Sequence, residues 1–171
     1  MKDVFLVYDK SCFYEIVILN YFMSFSHCDM VFCSLDGKPV RAMEGFSVNV
    51  DVPLEDLDKE QIRSFILPGG NVSEIDTPEV KSYLQALMKR EILIAGICAG
   101  VDVLDHAGIL CYVKSTHSSD ADLVTDKNVI TARANAYVDF AVEVAKKLDL
   151  FASEDDLQET INFWKHYQRV Q

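Results

Sequence analysis

Residues 92–108 read ILIAGICAGVDVLDHAG, an apolar run that passes straight into a helical pattern with a glycine on each side of the junction. No other segment constrains the chain as tightly. A continuous apolar run of this kind is a strand buried on both faces, as in a parallel sheet. The helical repeat over 99–107 packs back onto that sheet and stops at Gly108. The junction itself, Gly96-Ile97-Cys98-Ala99-Gly100, has the form of a nucleophile elbow. Such a turn holds its central residue in a strained backbone and lifts the side chain above the sheet edge. The flanking glycines remove bulk where strand and helix approach. The Cys98 sulfur then sits at a helix N-terminus, where free N–H groups lower a thiol pKa from about 8.5 to about 3.5–7.5. We expect a reactive thiolate there.

The rest of the chain alternates strand and helix patterns. Residues 4–8 form a short apolar run, and 13–25 carry Ile16, Leu19, Phe22 and Met23 at helical spacing. Strands are expected over 30–35 and 64–67, with a small hairpin from 39–41 and 46–52. Pro68-Gly69-Gly70 ends the 64–67 strand. Pro78 opens a helix to about Arg90, with Thr77 as its N-cap. Further strands are expected over 112–116 and 129–132, with a turn at 126–128. A helix follows over 136–148, and Ser153 caps a last one with acids in its first turn. This alternation predicts an α/β fold, a mostly parallel sheet with helices on both faces. Residues 1–171 read as a single domain.

The formal net charge is −11. Nucleic-acid binding needs cations to neutralise phosphates, so this acidity argues against it, and equally against an anionic membrane surface. No apolar run reaches the roughly 20 residues of a membrane helix. The start, MKDVFLVYDK, reads as a first strand and not as a signal peptide, and a cytoplasmic protein is expected. Five cysteines occur: Cys12, Cys28, Cys33, Cys98 and Cys111. Their spacing fits neither a disulfide framework nor a zinc site, and no metal or cofactor motif appears. Cys28, Cys33 and Cys111 read as buried thiols, and Cys12 as core or loop packing near the elbow.

AGICAG, the upstream FILPGGN and Glu15 in the first strand–helix connection together resemble the ThiJ/PfpI superfamily. That group includes the parkinsonism-associated deglycase and has the class I glutamine amidotransferase-like fold. The resemblance runs over nearly the whole chain in the same element order. It implies a flavodoxin-like three-layer sandwich and a homodimer. It also implies that Glu15 is a protonated acid held against the Cys98 sulfur, able to hydrogen-bond a thiolate or a sulfinate. The Pro-Gly-Gly-Asn turn lies where α/β sheets bind ligands. Gly70 N–H and Ala99 N–H are the expected oxyanion hole, with Gly69 and Asn71 as substrate contacts. His117, in a Ser-Thr-His segment, matches a family histidine near the sulfur and is a candidate base. Arg133 either attracts an anionic substrate or pairs with a carboxylate.

Two departures narrow the activity. The protease-like members carry His directly after the nucleophile, where this chain has Ala99, which argues against a peptidase. The His-x-Glu of amidotransferases is replaced by His117-Ser118-Ser119-Asp120, which argues against glutamine hydrolysis. Three activities stay open. The first is thiolate addition to a small electrophile such as a 2-oxoaldehyde, as in a glyoxalase or deglycase. The second is redox sensing or chaperone-like action through a Cys98 sulfinate. The third is isocyanide hydration.

Overall fold

The computed structural model describes residues 1–169. Its elements in chain order are β1 (Lys2–Leu6), α1 (Tyr14–Phe25), β2 (Asp29–Ser34), β3 (Val40–Arg41), β4 (Ser47–Val48) and β5 (Val52–Pro53). Then come β6 (Ile62–Leu67), α2 (Pro78–Lys89), β7 (Leu93–Ile97), α3 (Gly100–His106), β8 (Leu123–Asp126), β9 (Val129–Ala132), α4 (Tyr137–Lys147) and α5 (Glu154–His166). Seven strands form one sheet in the order β5-β2-β1-β6-β7-β9-β8. Every pairing is parallel except that of β8 with β9. The β3–β4 hairpin stands apart as a two-stranded sheet.

The two-residue period of β1 divides the core. Val4, Leu6 and Tyr8 face a cluster with Val80, Leu84 and Leu87 of α2 and Val101 and Leu104 of α3. Phe5 and Val7 face the opposite cluster, with Ile16, Leu19 and Met23 of α1 and Phe140, Ala141 and Val144 of α4. The α/β sandwich with helices on both faces is therefore the observed architecture. The anticipated caps are present: Thr77 Oγ1 accepts from Val80 N–H at 3.3 Å, and Ser153 Oγ from Asp156 N–H at 3.2 Å. The outer strands are short. β5 has two residues and ends in Pro53, and β8 has four.

One expected strand is not formed. Residues 109–112 make a 3-10 turn, and 113–116 continue as irregular backbone. Tyr112 is 74% exposed, so its aromatic ring has no sheet to pack on. The outer strand is instead β8, joined to β9 by a tight turn with Lys127 at φ 54°. Cys33 is buried as expected, but Cys28 is half-buried and Cys111 exposed. Arg63 Nη2 donates to Cys28 Sγ at 3.2 Å. Among the described residues, no helix is long and apolar enough to cross a membrane.

Candidate active site

Cys98 occupies the turn between β7 and α3 with φ 55°, the left-handed region that L-residues avoid. The surrounding backbone fixes this conformation. Cys98 N–H donates to Ala132 O at 2.9 Å, and Cys98 O accepts from Val101 N–H at 3.0 Å. The glycines act as the sequence implies. A Cβ on Gly100 would lie 2.4 Å from Leu67 O, and one on Gly96 would lie 2.7 Å from Leu104 Cδ1. Strand β6 and the elbow thus touch backbone to backbone.

Gly69, just past the end of β6, is the contact point. A Cβ there would stand 2.6 Å from Cys98 Cβ, 2.8 Å from Ala99 N and 2.9 Å from Cys98 Sγ. Its N–H donates to Glu15 Oε2 at 2.6 Å. Glu15 lies in the first turn of α1 and is 1% exposed. Its Oε1 is buried without a hydrogen-bond partner of good geometry, beside the Cys98 thiol and the Tyr14 hydroxyl. The helix start that holds Glu15 is capped from the β3–β4 hairpin, where Glu44 Oε1 accepts from Tyr14 N–H at 2.7 Å.

Burial pushes Glu15 above its ordinary value, against the pull of the Gly69 N–H. Burial, and then the Glu15 charge, push the Cys98 thiol up to about 11. This corrects the expected depression at a helix N-terminus. The N–H groups of Ala99 and Gly70 favour the sulfur anion, but desolvation and Glu15 outweigh them. Two acids this close titrate as a unit. Burial disfavours the charged form of each of them.

The remaining expected site residues fall in different places. Gly69 spends its N–H on Glu15 rather than offering it to a substrate. Asn71 Oδ1 accepts from Ser73 N–H at 3.3 Å and Ser73 Oγ at 2.8 Å, so that oxygen caps its own turn. His117 is not brought into hydrogen-bond contact with the sulfur. Its Nε2 lies 3.2 Å from Asp102 Oδ1 and its Nδ1 3.4 Å from Asp105 Oδ2, both on α3. Arg133 pairs with Asp120 at 3.1 Å.

Two further residues belong to the site. Tyr8 is wholly buried, and its hydroxyl lies 2.8 Å from Pro68 O and 2.7 Å from Gly69 O, donating into that carbonyl pair. It anchors the turn whose amides serve Glu15 and Cys98. The signal in the sequence was a single hydroxyl closing an otherwise apolar run. Cys12 is the second. Its N–H donates to Gly69 O at 2.9 Å, and burial, Glu15 and Cys98 push its thiol up to about 11.

The chain is similar to several known proteins. It is 28% identical over 162 residues to the uncharacterized protease YoaZ of Bacillus subtilis, covering 83% of this chain and 74% of that protein. It is 24% identical over 152 residues to Deglycase PH1704 of Pyrococcus horikoshii, covering 80% of this chain and 92% of that one. The solved structure of a DJ-1 superfamily protein from Agrobacterium tumefaciens superposes with a TM-score of 0.85 at 27% identity, over 97% of this chain and 99% of the other. Oxidized DJ-1 of Toxoplasma gondii shares the fold with a TM-score of 0.80 at 19% identity, over 94% and 95% of the two chains. The model of the DJ-1/PfpI family matches residues 1–147, and the chain belongs to that family.

Proposed function

We propose that the protein is a cysteine-dependent enzyme for small reactive carbonyls, acting as a glyoxalase or deglycase with Cys98 as nucleophile. The observation that carries this reading is Cys98 held at φ 55° on the elbow, beside a Glu15 carboxyl whose Oε1 is buried without a hydrogen-bond partner. With the proton on Glu15 the sulfur is the thiolate, the form that attacks carbonyls. The deglycase-named relative supports the substrate class.

With a 2-oxoaldehyde, the sulfur adds to the aldehyde carbon. A C–S bond forms, the carbonyl π pair moves to oxygen, and that oxygen takes the Glu15 proton. The Glu15 carboxylate then removes the hydrogen from the same carbon, leaving an enediolate, and the hydroxyl proton on that carbon passes to the former ketone oxygen. Return of the proton to the neighbouring carbon gives a thioester, which water cleaves to a 2-hydroxy acid and free Cys98. Glu15 suits both tasks because burial raises its pKa above the ordinary carboxylate value. Gly70 and Ala99 N–H stabilise the developing oxyanion. A peptidase role is disfavoured, since Ala99 supplies no base and His117 is engaged by Asp102 and Asp105.

The test is methylglyoxal consumption with lactate as product. Cys98→Ser is expected to lose turnover while its circular dichroism stays that of the wild type. Turnover at the wild-type rate by Cys98→Ser refutes the reading.

A further inference from the structure

We propose that Cys12 is a resolving thiol, which captures an oxidised Cys98 as an intramolecular Cys12–Cys98 disulfide. The proposal rests on Cys98 being the reactive thiol of the reading above.

The geometry centres on Gly69. Its carbonyl accepts the Cys12 N–H at 2.9 Å. The position of a Cβ on the same residue lies 2.6 Å from Cys98 Cβ. One residue without a side chain therefore touches both cysteines. The adjoining Ser11 forms a bridge with Gly70, which ties the Cys12 segment to the same turn. Both cysteines are half-buried, open to a small oxidant. A disulfide needs Cα atoms about 4.4–6.8 Å apart. Cys12 lies outside any helix or strand, in the β1–α1 connection. Glu15, in the first turn of α1, acts on both thiols.

The oxidant is a peroxide. The Cys98 thiolate attacks one peroxide oxygen, an S–O bond forms, the O–O bond breaks, and the leaving oxygen takes the Glu15 proton. Cys98 is now a sulfenic acid and Glu15 a carboxylate. That carboxylate accepts the Cys12 thiol proton as the Cys12 sulfur attacks Cys98. The S–S bond forms, and the hydroxyl leaves as water with the proton relayed by Glu15. The peroxide is reduced to water or an alcohol, and two thiols become one disulfide. This route removes the sulfenic acid before a second peroxide can carry it to the irreversible sulfinate.

The experiment treats the reduced full chain with about one equivalent of hydrogen peroxide and maps cysteines by mass spectrometry. The wild type is expected to lose two hydrogens, with the Cys12 and Cys98 peptides linked and separated again by dithiothreitol. Cys12→Ser is expected to accumulate Cys98 sulfinate severalfold above the wild type. Equal sulfinate in the two proteins, or linkage of Cys98 to another cysteine, overturns the proposal. Iodoacetamide labelling of reduced Cys98 separates the two failures. A Cys98 that alkylates but forms no cross-link sinks the resolving role alone, whereas one that neither alkylates nor oxidises sinks the nucleophile as well.

Discussion

Gly69→Ala is the sharpest probe of the site, because one methyl group meets strand, elbow and sulfur together. No positive φ is involved, so the effect is purely steric. The new Cβ would lie 2.6 Å from Cys98 Cβ and 2.8 Å from Ala99 N, about 0.8 Å short of ordinary van der Waals contact. Neither neighbour is the tip of a flexible side chain, so the elbow itself must move away from β6. Overpacking of this kind costs about 1–3 kcal/mol. For a chain of this size that lowers Tm by about 2–12 °C. The same displacement carries the sulfur from Glu15 and from the amides of Gly70 and Ala99. Misplacement by about 1 Å costs about 100-fold in rate. Thermal melting and the rate of Cys98 alkylation by iodoacetamide read the two effects separately. Gly45→Ala is the control. Its Cβ meets nothing within 4 Å, but φ is +92°, so stability falls through backbone strain alone and Cys98 alkylation is unchanged. If Gly69→Ala melts and alkylates like the wild type, the close approach of β6 to the elbow does not govern the thiol, and the steric reasoning is wrong.

Two further outcomes follow from the same geometry. Burial raises Glu15 in the folded chain above 4.5, so the folded state holds a proton that the unfolded state has released. Its stabilising contribution is complete below about 4.5 and is lost as pH rises through the folded value. Urea melts at pH 5 and pH 8 are expected to show wild-type stability falling relative to Glu15→Gln across that interval; a parallel profile would contradict the raised acid. Tyr8→Phe removes the hydroxyl from the buried Pro68 carbonyl and leaves Gly69 O with only the Cys12 N–H, and calorimetry is expected to show a loss of about 1–3 kcal/mol.

The elbow was legible because its demands are local. Gly96, Cys98 and Gly100 satisfy a strand–helix turn that neighbouring residues alone specify. The alternating pattern likewise announced the sheet, since β7 and the inner parts of β1 and β6, Val4–Leu6 and Phe65–Leu67, are buried on both faces and are apolar. Residues 112–116 misled for the converse reason. Tyr112, Val113 and Thr116 have strand-forming side chains, but strand formation needs a partner, and β9 pairs with β8 instead. The protonation of the thiol was equally beyond local reading. A helix N-terminus is visible in sequence, whereas desolvation and a carboxylate on another element exist only after folding. His117 shows the same limit, because Asp102 and Asp105 claim its ring across a loop whose path the sequence does not fix.

The shortness of the outer strands has a consequence for the protein's colloidal behaviour. β5 offers two residues and ends in a proline, which has no N–H to donate, and β8 offers four, already turned antiparallel. A growing fibril needs a long, flat, unpaired template, and neither margin supplies one. Self-association by strand addition is blocked at both borders. Exposed apolar side chains lie instead on the helical surface, where α1 displays Tyr14, Val17, Tyr21 and Phe25 to solvent.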